Sequence, residues 1–244
     1  MLFRSISKPL EFRERKQVIY ASPLVDVAAN MELVRETVDI CTTILAQTNW
    51  DIRLLSKSNL LPKVAGQLEE RFEQSGHARK RVIYGVSTGT MDDRLAAAFE
   101  EGAPLVSKRI ESLHWLQDNG FRTFGMICPS LPLPSVRDYE DFAAEMSFHI
   151  RAEKCEHVWA EVINVRGDSL KRTVAKLHEH NYHGKAEDVE RVSGSKQDWE
   201  QYARNTFEAH CQFIPPEKLR FLQYATKETL PYWEAMKKEG AVLL

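Results

Sequence analysis

Apolar residues along the chain fall into two rhythms: short unbroken runs, and longer stretches in which they recur at helical spacing. The most legible stretch covers residues 81–132. It opens with an apolar run, Val82 to Val86, which breaks at Ser87-Thr88-Gly89-Thr90. Thr90 and Asp93 have capping-box spacing and predict a helix start there. A second helix is predicted to follow Pro104, a residue that suits a first turn because its missing N–H has no partner there anyway. Val106, Ile110, Leu113 and Leu116 give that helix one apolar stripe. Gly120 suits the position just past its end. A new apolar run, residues 121–127, then ends at Cys128-Pro129. This is a βαβ unit, with strands buried on both faces as parallel strands are.

The same rhythm continues on either side. Residues 17–21 read as a strand ending in Ser22-Pro23-Leu24-Val25-Asp26, and residues 52–55 as a strand followed by Ser56-Lys57-Ser58-Asn59. Asn30 caps a predicted helix carrying Val34, Val38, Cys41 and Leu45. Pro62 opens another, with Val64, Leu68 and Phe72. Ser135 and Asp138 form a capping-box pair ahead of Phe142, Met146 and Ile150. Residues 158–162 make a fifth strand that runs into Asn164-Val165-Arg166-Gly167-Asp168, where Arg166 and Asp168 read as a surface ion pair. About five strands alternate with helices every 30–35 residues or so. The fold class expected is α/β, a partial parallel (β/α) barrel over residues 1–168 with a helical C-terminal extension over 169–244. That extension carries Leu170, Val174 and Leu177 on one helix, and a hinge-like Ser193-Gly194-Ser195 with Ser195 and Asp198 capping the next. It also holds many aromatics from Trp199 to Trp233, and an apolar terminus, residues 241–244, expected to dock. Ligands of parallel α/β folds bind at the carboxyl ends of the strands, so the polar strand-end loops are the candidate site.

Composition narrows the classes. The chain has 244 residues, 43% of them apolar and 28% charged, as in ordinary globular proteins. A net charge of −2 gives no global electrostatic case for nucleic acid and leaves only a local basic groove. There is no run of about 18 apolar residues and no secretory leader pattern, so the expectation is a cytoplasmic protein without a membrane span. The cysteines Cys41, Cys128, Cys155 and Cys211 form no CxxC pair and read as reduced thiols. No GxGxxG, P-loop or GxSxG is present. His178, His180 and His183 alternate along a helical stretch and so face different ways, as at a solvated helix end. Drawn together, they would be the ligand set of a TIM-like metal-dependent enzyme, a competing reading from another class. Lys57 is either an exposed loop lysine or a buried ammonium that grips a carboxylate.

Taken in order, the strand-end loops resemble the radical S-adenosylmethionine (SAM) superfamily, in its spore photoproduct lyase and photolyase-like branch. The pieces are Ser22 in YASPLVD, Ser56-Lys57 in LLSKSN, Ser87 in YGVSTGT, Glu101-Gly102-Ala103-Pro104, Arg109, Asn119-Gly120 and Cys128-Pro129 in MICPSLP. The likeness covers residues 8–165 or so. It implies a partial barrel that holds SAM across its strand ends. Ser22 and Ser87 would bond the amino-acid portion or ribose, Lys57 the carboxylate, and main chain near Cys128 the adenine. The implied reaction is reductive cleavage of SAM to a 5′-deoxyadenosyl radical that abstracts hydrogen from a substrate.

The sequence departs from that family in two places. The CxxxCxxC loop that ligates a [4Fe–4S] cluster is absent from these residues, and the four cysteines are too scattered to replace it. Tyr20 stands near the position of the lyase's hydrogen-donating cysteine. The resemblance therefore implies the SAM-binding and substrate-side, C-terminal portion of a radical SAM enzyme, inert alone. The alternative is a degenerate, non-catalytic binding or assembly protein of the same fold. In either case the strand from Gln17 to Ala21 is an open edge that needs covering. The cover would be residues 1–16, a second copy, or a separate chain or upstream segment carrying the cluster.

Overall fold

The computed structural model describes residues 13–21, 25–73, 76–163 and 168–244. Ser22 and Arg166 lie outside the described residues. The elements in chain order are β1 (Val18–Ala21), α1 (Met31–Gln47), β2 (Asp51–Ser56), α2 (Leu61–Phe72), α3 (His77–Arg81), β3 (Val82–Thr88), α4 (Asp93–Phe99) and α5 (Val106–Asp118). They continue with β4 (Arg122–Ser130), α6 (Val136–His149), β5 (His157–Val162), α7 (Ser169–Glu179), α8 (His183–Ser193), α9 (Lys196–Phe213), β6 (Leu219–Gln223), α10 (Leu230–Met236) and β7 (Ala241–Leu243). The class is α/β, a seven-stranded sheet in sequence order of the partial TIM-like barrel type. The chain divides into two compact units, Met1–Val86 with Lys108–Phe124, and Ser87–Ser107 with Gly125–Leu244.

In the first unit β1, β2 and β3 pair in parallel, with Ile19 opposite Ile52 and Leu54 opposite Tyr84. Along β2 the side chains of Ile52, Leu54 and Ser56 are buried, while Arg53, Leu55 and Lys57 alternate onto the more open face. The α1 stripe Val34, Val38, Cys41 and Leu45 is buried as its spacing predicts, and Asn30 caps it by accepting from the N–H groups of Glu32 and Leu33. Its far end is closed by a residue from elsewhere. The Arg81 guanidinium donates to the carbonyls of Leu45, Thr48 and Trp50 at 2.6–3.1 Å, which gives the frayed helix end its missing donors. Burial lowers the Arg81 pKa, and Asp51 partly restores it. Such a residue stays charged.

In the second unit β5, β6 and β7 pair in parallel, with Val158 opposite Leu219 and Phe221 opposite Ala241. Two strands thus lie within the stretch expected to be helical, and the strand count is seven rather than five. Both strands are short, and β6 follows β5 only after three helices, which breaks the 30–35-residue period. The terminal apolar residues do dock, as β7. Gly240, at φ 104°, admits them, because a Cβ there would lie 2.7 Å from the Leu219 carbonyl oxygen. Much of the aromatic tail is core: Phe207, Phe221 and Trp233 are buried, with Phe221 and Trp233 stacked at 5.9 Å.

Caps at Ser135 and Ser195 form as their spacing predicts, the first a complete capping box. The expected box at Thr90 does not form. Asp92 caps α4, and Asp93 instead accepts from the Ser107 amide and hydroxyl at 2.9 and 2.7 Å, so its carboxylate serves the start of α5. That helix follows Pro104 as expected and begins at Val106. Between α6 and α9 lies His210, wholly buried and 6.0 Å from the Phe142 ring, with neither ring nitrogen hydrogen-bonded. Burial pushes its pKa down to about 4.

Two stability measurements follow from these buried polar groups. Arg81→Met should lower the denaturant midpoint, at a cost of roughly 2–4 kcal/mol, because three carbonyls lose a charged donor. For His210 the folded pKa lies below the unfolded value of 6.5, so the unfolded state binds the extra proton. Its neutral form is therefore tolerated above 6.5, and stability should fall as pH drops from 6.5 toward 4. The loss is about 3 kcal/mol. Denaturant titrations of His210→Met across that window should lose this slope, and an unchanged slope would refute the assignment.

Candidate functional site at the strand ends

Each unit has its own strand-end cluster. In the first, Asp26 ties the loop after β1 to the tip of β2. Its Oδ1 accepts from the Ser56 hydroxyl at 2.6 Å and the Ala28 amide at 2.9 Å, and its Oδ2 accepts from the Lys57 amide at 2.7 Å. Ser56 Oγ in turn accepts from the Ser58 amide at 2.8 Å. Lys57 is half-buried on the face opposite Ile52 and Leu54, so neither the exposed-loop nor the fully buried reading describes it. Tyr20, on β1, is 42% exposed, with its ring 6.2 Å from that of Phe124. Phe124 lies over Gly85, where any Cβ would meet the ring.

In the second unit Ser87 and Cys128 come together. The Ser87 hydroxyl donates to the Cys128 carbonyl at 3.4 Å, and the Cys128-Pro129 bond is cis. Gly89 is required by close approach, since a Cβ there would fall 2.0 Å from the Pro129 carbonyl oxygen. Thr88 donates its hydroxyl to the Thr90 carbonyl at 2.5 Å and tightens the same turn. Gly125 faces Ile150, so alternation along β4 turns Cys128 to the opposite face. Glu161 of β5 shares that face. The Cys128 thiol donates to its carboxylate at 3.7 Å, a long contact even for sulfur. Burial pushes the Glu161 pKa up, partly offset by that thiol. Behind the tips Tyr202 joins two strands: its hydroxyl donates to the Ser130 carbonyl and accepts from the Ile163 amide at 3.0 Å. The Ser130 hydroxyl is buried here without a hydrogen-bond partner.

The four expected ligand residues are thus distributed as follows. Ser87 and Cys128 form one cluster in the second unit, Lys57 belongs to the first unit, and Ser22 is outside the described residues. Sequence reading missed Asp26, Glu161 and Tyr202. Glu161 had a signal, as the one charged residue in the apolar run VWAEV. Tyr202 had none, because its role is set by a contact 72 residues away.

A [4Fe–4S] cluster does not fit the described residues. None of the four cysteines is in a disulfide, Cys41 and Cys155 are buried, and burial pushes the Cys41 and Cys211 thiols up to about 12. No three His, Cys, Asp or Glu side chains are grouped to hold a metal ion among the described residues. His178 and His183 approach at 3.0 Å between their Nδ1 atoms, exposed on the surface. No described helix is long and apolar enough to cross a membrane.

A parallel sheet in sequence order with polar tips is the architecture of radical SAM-like folds, and a solved structure bears this out. The chain is similar to a structure of a mutant spore photoproduct lyase, at 12% identity and a TM-score of 0.50, over 66% of this chain and 45% of that one. A second, described as Streptococcus suis SuiB bound to S-adenosylmethionine, matches at 11% identity and a TM-score of 0.32, over 73% of this chain and 45% of that one. The match therefore spans less than half the length of either. No protein-family model matches the sequence, and no curated protein matches it significantly. The fold is radical SAM-like.

The second-unit cluster carries a pH prediction of its own. The Glu161 pKa is raised in the folded state, so that state holds the extra proton. The stability this gives is present below the ordinary carboxylate range and is lost as pH rises through the folded pKa. Thermal melts from pH 4 to 7 should show that decline in the wild type and lack it in Glu161→Gln.

Proposed function

We propose that this chain is the SAM-binding, substrate-side portion of a radical SAM enzyme, completed by a segment or partner that carries the [4Fe–4S] ligands. Three things support the reading: the radical SAM-like fold, the ordered series of polar strand tips, and the chemistry of those tips. The observation that carries it is the meeting of the Ser87 hydroxyl and the Cys128 main chain at two strand ends. These groups suit a ligand with ribose hydroxyls and a heterocycle. Half-buried Glu161, poised to ionise, suits a neighbouring sulfonium or ammonium.

In this reading Lys57 pairs with the ligand carboxylate, held by the Asp26 bonds to its own amide and to Ser56. Ser87 and the backbone at Cys128 orient the nucleoside. The ionised Glu161 carboxylate would face the ligand's cation. The missing cluster would supply the electron for reductive cleavage, and no residue described here takes that role. The β1 edge, with Val18 and Tyr20 about half exposed, is the surface for the completing segment.

Calorimetry with SAM tests the reading. The wild-type chain should bind saturably, Lys57→Met at least about 10-fold more weakly, and Ser87→Ala several-fold more weakly. Binding should strengthen with pH through the Glu161 titration and lose that dependence in Glu161→Gln. SAM cleavage under reducing conditions should appear only after a chain bearing CxxxCxxC is added. Binding without cleavage under any complementation would favour the non-catalytic member of the fold. No binding at all would sink the proposal.

A further inference from the structure

The second unit also holds a cleft of about 830 Å³, lined by neither Ser87 nor Cys128, between the start of α9 and the loop after β6. That volume lies within the range of small-molecule sites. Trp199 and Tyr224 line it, and Tyr224 is 41% exposed. Its charges are already matched. Arg204 pairs with Glu200 at 2.8 Å and lies 3.9 Å over the Tyr232 ring, while Glu228 feels the charge of Lys196. A cleft whose charges balance, with Trp199 and Tyr224 in its wall, selects against strongly charged ligands.

The residue that points to a ligand is Gln223, at the last position of β6. It lines the cleft and is only 3% exposed, yet its side-chain amide makes no hydrogen bond among the described residues. Strand alternation puts it on the face of Leu219 and Phe221, and Phe221 packs on Phe207 of α9. Its amide therefore points to the side from which α9 supplies Trp199, Glu200 and Arg204 to the cleft wall. Protein neighbours leave that amide open to the cleft, so a ligand there can pair with it. A glutamine amide offers a donor beside an acceptor, which matches a planar edge presenting the complementary pair.

We propose that this cleft binds a small uncharged planar ligand with adjacent donor and acceptor groups, held by Gln223 and stacked on Trp199 or Tyr224. Two sources share that chemistry: a heterocyclic base with an amino-nitrogen edge, and a primary aromatic carboxamide. The inference stands apart from the SAM reading, since none of its residues belong to the strand-end clusters.

Saturation-transfer NMR and calorimetry on the full chain, with adenosine and with benzamide as separate probes, test it. Saturable binding of either probe supports the proposal and identifies the source. Gln223→Leu should weaken that binding at least about 10-fold with little change in melting temperature, because no protein group bonds that amide. Tyr224→Ser, a change at a partly exposed position, should weaken it several-fold without affecting the fold. Lys57→Met and Ser87→Ala should leave it unchanged, which separates this cleft from the strand-end clusters. Failure of both probes to bind would overturn the proposal, and so would binding unaltered by Gln223→Leu and Tyr224→Ser. Binding lost in Lys57→Met or Ser87→Ala instead would overturn it too.

Discussion

Backbone groups at the end of a parallel strand lose their ladder partners just where the chain turns away, and something must replace those partners. In this protein side chains do so. Asp26 takes the amides that follow β1 and β2, the Thr88 hydroxyl closes the turn after β3, and one Tyr202 hydroxyl serves β4 and the residue after β5. Each replacement fixes a loop that would otherwise have several conformations of similar energy. The same act positions functional groups: Lys57 through its own amide, and Ser87 through the turn that follows it. A strand tip satisfied in this way is both a structural joint and a rigid mount for chemistry.

The interior shows the two ways a buried polar group can stand. Arg81 has three carbonyl partners around its guanidinium and stabilises the end of α1 as no apolar residue there would. His210 has no partner and remains neutral, so its burial is tolerated only while the proton stays away. Gln223 is as deeply buried as many core residues, but it borders a cleft instead of packed side chains. Desolvation is common to all three. What separates them is whether a partner is in reach.

Fold and function part company at this level of likeness. Identity of 12% over less than half of a larger enzyme speaks for the path of the backbone, and the chemistry has to come from the residues at the tips. Those residues are hydroxyls, a half-buried carboxyl and main-chain carbonyls, a set suited to holding a polar cationic nucleoside. Only the Cys128 thiol lies at these tips, the other three are dispersed, and burial keeps Cys41 in its protonated form. Holding the ligand and firing the reaction would then fall to different pieces of polypeptide.

Periodicity alone was enough for β1 to β5, because a short, mostly apolar run of four to nine residues ending in a polar loop has few other uses. Caps at Asn30, Ser135 and Ser195 were legible too, since they depend on neighbours within one turn. Local spacing misled at Thr90, where Asp92 made the cap and the Asp93 carboxylate was drawn to Ser107, 14 residues on. It was silent on β6 and β7, whose three to five residues become strands only by pairing with β5 and with each other. Ser87 and Cys128 could be named from their loops, and Glu161 stood out only as a charge in an apolar run, but the Tyr202 brace left no local sign. The sequence by itself determined the strands up to β5, most of the helices between them, and that polar groups end those strands. Only the tertiary structure decided which of those groups meet, because such contacts join residues 30 to 72 positions apart and no local pattern encodes them.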